Sequence, residues 1–397
     1  MIAAPTLLQI KDTEQKKALN AWKDADFTGS VIAGTGFGKS RVGVIACGAM
    51  LRKHGGRGLV LVPTNQLQDQ FEEEFKKWGY EDVLDSVDIL CYASAHKLRG
   101  VTYTVTVADE VHLGLSPIYR EVFLQNEHER LLCMTATIPE EEEYKELLDE
   151  IAPTVYHITL DECVKLGLVA PYTVYCIPVE LTDQERADYK AANNMFVHYK
   201  YQLGMYDAFN EAGRVLSDPN ASPVQKKNAT LFYKAIRDRK TVVQHAYNKI
   251  LYTEMIAKSK SDKKILTFAG TNEFTNQMHD VLNKDGEARR FHSAIGKKEK
   301  TKALDDFRAN ECRILCSTKA LNQGFDVPDA QLGIICGLDS KTLAMIQRVG
   351  RLLRLSENKT GEVVILYVKD SQEQKWLESS IKNLSNVVWL DDISSYI

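Results

Sequence analysis

A chain of 397 residues is too long for one ordinary hydrophobic core, so roughly two or three domains are expected. With 44% hydrophobic and 26% charged residues it reads as soluble and globular, which excludes a disordered chain. A net charge of −4 supplies no global basic field, so any nucleic-acid contact must come from local clusters. The apolar run in MIAAPTLLQIKDTEQKK is too short for a signal peptide, and no run reaches the roughly 18 apolar residues of a membrane span. The eight cysteines are scattered without a CxxC pair, and Cys312 and Cys316 sit in the strand-like CRILC. Packing rather than metal is their expected role, in a reducing, intracellular compartment.

In the first half, five short apolar runs follow one another: SVIAG (30–34), GLVLVPT (58–64), DSVDILCYA (85–93), YTVTVADE (103–110) and LLCMTAT (131–137). Helical patterns at Lys39–Leu51 and Gln66–Trp78 separate several of them. Runs buried on both faces and joined by helices predict a parallel sheet. The first run leads into AGTGFGKS (33–40), a phosphate-cradling loop in which Ala33 stands for the usual first glycine. Gly34, Gly36 and Gly38 let the backbone curl around Thr35 and Phe37, so that N–H groups converge on phosphate oxygens at a helix N-terminus. Lys39 would reach the β- and γ-phosphates of ATP, and Ser40 would offer its hydroxyl to Mg²⁺. The plainer alternative is a glycine-rich turn capping a helix. The fourth run ends in DEVH (109–112), which delivers two acids to the carboxyl edge of the sheet. Asp109 would hold Mg²⁺ through water and Glu110 would polarise the attacking water. The plainer alternative there is an acidic strand end followed by a core histidine, His112.

PEEEEYKELLDE (139–150) carries seven acids and one lysine and reads as a solvated helix start. Residues 181–261 differ from both halves, being helix-forming, rich in tyrosine and broken only by SDPNASP (217–223). Ala221 to Lys264 holds eleven Lys/Arg against three Asp/Glu. Lys226, Lys234 and Arg237, beside Phe232 and Tyr233, mix cations with aromatics as strand contact and base stacking require. A solvated helix face over an apolar core is the competing reading. The second half repeats the strand pattern with KILTFAG (264–270), ARRFHSA (288–294), CRILCST (312–318), LGIICG (332–337) and EVVILYV (362–368), with helical stretches at Thr271–Leu282 and Glu299–Arg308. The expected division is 1–160, a linker and crossing strand over 161–180, a helical insertion over 181–261, and a second sheet domain over 262–397. Finally, QRVGRLLR (347–354) gathers Arg348, Arg351 and Arg354 on one helix face, where like charges repel by a few tenths of a kcal/mol per pair, roughly.

These motifs together resemble superfamily 2 helicases of the DExH type, and the likeness covers most of the chain outside 185–260. The resemblance implies an α/β protein with two RecA-like parallel-sheet domains and a helical insertion between them or on the second. PTNQLQDQF (63–71) resembles motif Ia, where Pro63, Thr64 and Asn65 would touch the nucleic-acid backbone, with Ser94 and His96 nearby. MTAT (134–137) resembles motif III, whose threonines couple nucleotide state to strand binding. TFAGT (267–271) resembles motif IV, with Gly270 and Thr271 on the strand. STKALNQGFDVP (317–328) resembles motif V, with Thr318 near the strand and Gly324 and Asp326 near the nucleotide. QRVGRLLR resembles motif VI, in which Arg351 and Arg354 face the γ-phosphate and Gln347 contacts it or the catalytic water. EQKKALNAW (14–22) resembles the stretch whose Gln contacts adenine, here Gln15, although the Arg usual nearby is missing. An ATP hydrolase is implied, with ATP and Mg²⁺ as cofactors and DNA, forked or branched, as partner. A cytoplasmic monomer in a bacterium or phage-infected host, acting in repair, recombination or replication, is the corresponding expectation. A duplex translocase, an RNA helicase and an ATP-gated binding clamp are the alternatives.

Overall fold

The computed structural model describes residues 6–34, 36–136, 138–139, 141–168, 171–318, 330–339, 361–382 and 384–397. The chain forms two compact units, one running through Pro171 and the other beginning at Tyr172.

In the first unit the strands are β1 (Thr28–Ala33), β2 (Gly58–Val62), β3 (Val87–Cys91), β4 (Thr102–Tyr103), β5 (Val105–Asp109), β6 (Glu127–His128), β7 (Leu131–Thr135) and β8 (Thr154–Ile158). Six of them make a parallel sheet in the order β3-β2-β5-β7-β1-β8, with β4 and β6 paired apart. β1, β2, β5 and β7 are buried almost throughout, which is why each reads as a continuous apolar run. Because every strand points the same way, the segments that follow β1, β5 and β7 emerge at one edge. β7 alone separates β1 from β5, so their ends lie about 10 Å apart at the usual strand spacing. The amino-terminal helix Leu7–Asp24 is started by a Thr6–Gln9 capping box, and the Trp22 indole donates to the Leu131 carbonyl at 3.0 Å.

The second unit contains β9 (Tyr172–Val179), β10 (Ile265–Phe268), β11 (Ala288–Phe291), β12 (Ile314–Ser317), β13 (Leu332–Ile335), β14 (Gly361–Val368) and β15 (Val387–Trp389). They form a parallel sheet in the order β11-β12-β10-β13-β14-β9-β15. β9 pairs with β14 over its whole length, from Tyr172 opposite Gly361 to Val179 opposite Val368. Between β9 and β10 lie the helices Asp183–Gln202, Ala208–Ser217, Pro223–Gln244 and Tyr247–Ser259. The expectation of a single break at SDPNASP is therefore corrected. Helix Asp183–Gln202 also ends at Leu203, ahead of Gly204 in the left-handed region at φ +89°, and the chain turns again at His245–Ala246.

All eight cysteines are free thiols and buried. The Lys249 ammonium and Glu373 carboxylate, both at 0% exposure, pair at 2.7 Å in the second unit. Removing one member of such a pair typically costs about 3–5 kcal/mol, because the other charge is left buried alone. Among the described residues, no helix is long and apolar enough to cross a membrane.

Candidate nucleotide site

β1 ends at Ala33 and helix Lys39–His54 starts after a left-handed Gly38 at φ +88°, with Gly36 at +87°. Residues with a β-carbon rarely adopt either value, so glycine is required at both positions. Ala33 needs no such freedom, which accounts for alanine in place of the first glycine. Its carbonyl accepts from the Lys39 ammonium at 3.0 Å. The N-cap residue is Gly38, which has no side chain to cap the helix, and a helix N-terminus opening on a glycine loop is the arrangement that receives anions.

The floor of the loop is built by residues far from it in sequence. Phe37 is fully buried against the Tyr156 ring, with centroids 5.7 Å apart. The Gln15 amide donates to the Phe37 carbonyl at 2.7 Å and to that of Gly38 at 3.3 Å. Its oxygen accepts from Arg41 at 2.6 Å, and Arg41 also reaches Asp12 at 2.8 Å and lies over the Trp78 ring at 4.4 Å. An arginine does meet Gln15 in the fold, Arg41 from the helix that follows the loop. Both groups of the Gln15 amide are engaged by the chain itself, and a β-carbon at Gly38 would stand 2.4 Å from Gln15 Nε2.

At the end of β5, Asp109 is buried and Glu110 takes φ +47°, ψ +50°, an uncommon conformation for a residue with a side chain. The Tyr92 hydroxyl donates to the Asp109 carbonyl at 2.9 Å, and burial raises the Tyr92 pKa so that it stays a donor. Glu110 then points one oxygen at Lys39, 3.8 Å away, and the other at His112 Nδ1, 3.5 Å away. His112 Nδ1 is also 3.0 Å from the Thr135 hydroxyl at the end of β7. Lys39, Glu110, His112 and Thr135 therefore form a continuous polar chain across three strand ends. His112 is a link in that chain and more than a core histidine. A buried acid, a second acid beside an ammonium, and uncapped amides at glycine turns suit a nucleoside triphosphate. Asp109 and Ser40 are the donors available for a divalent cation held with the phosphates.

Pro63–Asn65 follow β2, and Ser94 and His96 follow β3, the neighbouring strand. Asn65 is exposed and its oxygen lies 2.8 Å from Cys91 Sγ, while His96 Nδ1 lies 3.2 Å from the Tyr92 carbonyl. In the second unit Gly270–Thr271 follow β10 and Thr318 follows adjacent β12, where it is buried. Lys226, Lys234 and Arg237 lie on helix Pro223–Gln244, and Lys234 is paired with Asp238. Phe232 is buried there against Phe196, and the Tyr233 hydroxyl is tied to the Phe209 carbonyl at 2.8 Å. Phe232 is therefore not presented for base stacking, whereas Tyr233 is half-buried. The exposed aromatics of this section, among the described residues, are Tyr201, Tyr206, Phe209 and Tyr247. Thr35, Thr137, Gly324, Asp326, Gln347, Arg348, Arg351 and Arg354 lie outside the described residues.

Comparison with known proteins gives two family matches. The DEAD/DEAH box helicase family matches residues 12–99, and the helicase conserved C-terminal domain matches residues 246–356. The DNA 3'-5' translocase XPB2 of Sulfurisphaera tokodaii is 25% identical over 363 residues, covering 87% of this chain and 79% of that protein. A 51.5 kDa protein of a Lactococcus phage is 24% identical over 334 residues, covering 83% of this chain and 63% of the phage protein. Among solved structures, the Pyrococcus furiosus Hef helicase domain superposes with a TM-score of 0.57 at 17% identity, covering 95% of this chain and 98% of that one. Saccharomyces cerevisiae Dbp5 bound to RNA and ADP BeF3 gives a TM-score of 0.55 at 15% identity, covering 98% and 94%. These structural likenesses carry the fold.

Proposed function

We infer, for a chain that belongs to the superfamily 2 helicases, that this ATP-hydrolysing motor acts on branched DNA, unwinding or remodelling forks in repair, recombination or replication. The observation that carries the reading is the polar chain from Lys39 through Glu110 and His112 to Thr135. Lys39 neutralises the terminal phosphates, the amides of the glycine loop orient them, and Glu110 takes the proton of the attacking water. Asp109 and Ser40 would hold Mg²⁺, which would supply charge stabilisation to the transferred phosphoryl group when bound. Thr135 and His112 connect that chemistry to the end of β7. Pro63–Asn65, Ser94 and His96 in the first unit, and Gly270, Thr271 and Thr318 in the second, contact the sugar-phosphate backbone, largely without regard to sequence. Lys226 and Arg237 extend that track, with Lys234 released from Asp238. Arg351 and Arg354 stabilise the γ-phosphate in transit, and Gly324 and Asp326 serve the nucleotide.

Likeness to a DNA translocase and to a phage protein supports DNA and a phage or bacterial setting. A strand-displacement assay on forked DNA, blunt duplex DNA and an RNA duplex tests the reading. ATP-dependent separation of the fork, with slower or no separation of RNA, is expected. Movement along duplex DNA without separation would make the protein a translocase, and binding without movement would make it an ATP-gated clamp.

A further inference from the structure

The long helix Pro223–Gln244 ends against the second sheet, and two consecutive residues there touch two adjacent strand ends. Gln244 is 4% exposed and lies flat on Gly270, where an added β-carbon would come within 2.8 Å of the Gln244 amide. Gly270 in turn presses on Gly337, at which a β-carbon would stand 2.2 Å from the Gly270 nitrogen. The Gln244 amide donates to the Leu338 carbonyl at 2.9 Å, just beyond β13. The next residue, His245, pairs through Nε2 with the Thr271 hydroxyl at 2.7 Å and stacks on Phe274 with centroids 5.4 Å apart. Burial holds the His245 pKa below its ordinary value, which favours the neutral ring in its hydrogen bond with that hydroxyl. One turn further on, Lys249 donates to the Cys336 carbonyl at 2.7 Å. Cys336–Leu338 is thus held from one side by the carboxyl end of the helical section.

The two strand ends have different duties on the function proposed above. Gly270 and Thr271 meet the nucleic-acid backbone, whereas Leu338 leads along the chain to Gln347, Arg351 and Arg354. We propose that Gln244 and His245 are positioning residues that couple nucleic-acid occupancy at Thr271 to ATP turnover through the Leu338 carbonyl. The inference rests on the helicase reading. Its physical basis is the absence of slack: the backbones at Gly270 and Gly337 are in contact, and packed interiors shift between discrete arrangements instead of deforming smoothly. A displacement at Thr271 therefore moves the helix end, and with it the hydrogen bond to Leu338. A helix of 22 residues is about 33 Å long, so a strand held along its length would also bear on that end.

ATP turnover of the full chain, measured at fixed salt while a single-stranded DNA oligonucleotide is titrated, separates coupling from plain structure. Gln244→Met keeps the side-chain volume without the donor, His245→Ala removes the tie to Thr271, and His245→Gln keeps a hydrogen-bonding amide. In Gln244→Met and His245→Ala, basal turnover and the half-saturating DNA concentration should stay near wild type. Their DNA-stimulated kcat should fall about tenfold, inside the usual range of coupling effects, and His245→Gln should recover most of it. Equal loss of basal and stimulated turnover would make the contacts merely structural and overturn the proposal. A raised half-saturation with intact kcat, or unchanged stimulation, would overturn it too. A wild-type protein that no nucleic acid stimulates would instead overturn the helicase reading, and the coupling with it.

Discussion

Replacing Arg354 by alanine is expected to lower nucleic-acid-stimulated ATP turnover by about 10³–10⁵-fold while ATP still binds within a few-fold of wild type. A γ-phosphate in transit spreads negative charge over its oxygens, and a guanidinium that meets it acts mainly in the transition state, so kcat rather than affinity carries the loss. In QRVGRLLR the spacing of Arg348, Arg351 and Arg354, three residues apart, is one at which like charges on a helix would repel, a cost that an arriving anion would reverse. Single-turnover hydrolysis beside direct nucleotide binding checks the split. Turnover like wild type in Arg354→Ala, with ordinary stimulation, would remove that residue from the chemistry.

Glu110→Gln is expected to cost about 10²–10⁴-fold in turnover, the usual contribution of a positioned general base. Glutamine keeps the shape and the contacts toward Lys39 and His112 but has no basicity at neutral pH. Binding of ATP and of nucleic acid should therefore persist in an enzyme that hardly hydrolyses. The left-handed backbone at Glu110, anchored by Tyr92 on the preceding carbonyl, makes the acid's direction part of the effect. If Glu110→Gln hydrolyses ATP at the wild-type rate, the base lies elsewhere.

The interior strands are legible in the sequence because burial on both faces turns them into apolar runs: SVIAG, GLVLVPT and LLCMTAT each match a strand within a few residues. β8 and β15 are not, because they lie at sheet edges and are largely half-exposed or exposed, so TVYHI and VVW carry no continuous apolar signal. The glycine loop is legible because its chemistry needs adjacent residues in one order. Its support is not. Gln15, Arg41 and Tyr156 meet only after folding, and local spacing says nothing of a contact across 26 residues. Helix Pro223–Gln244 shows the converse. Its cations and aromatics share a stretch of sequence, yet Phe232 turns inward by helical periodicity while Lys226 and Arg237 do not. Gln244 and His245 carry no motif, and only the close approach of Gly270 and Gly337 gives them a role.

ATP turnover at fixed salt, titrated in parallel with single-stranded DNA, forked DNA and RNA, most directly probes whether the site after β1 and β5 is a motor driven by a strand. Low basal turnover that rises and saturates with DNA, most with the fork, and that disappears in Glu110→Gln is the predicted result. Turnover indifferent to every nucleic acid, or retained in Glu110→Gln, would contradict it.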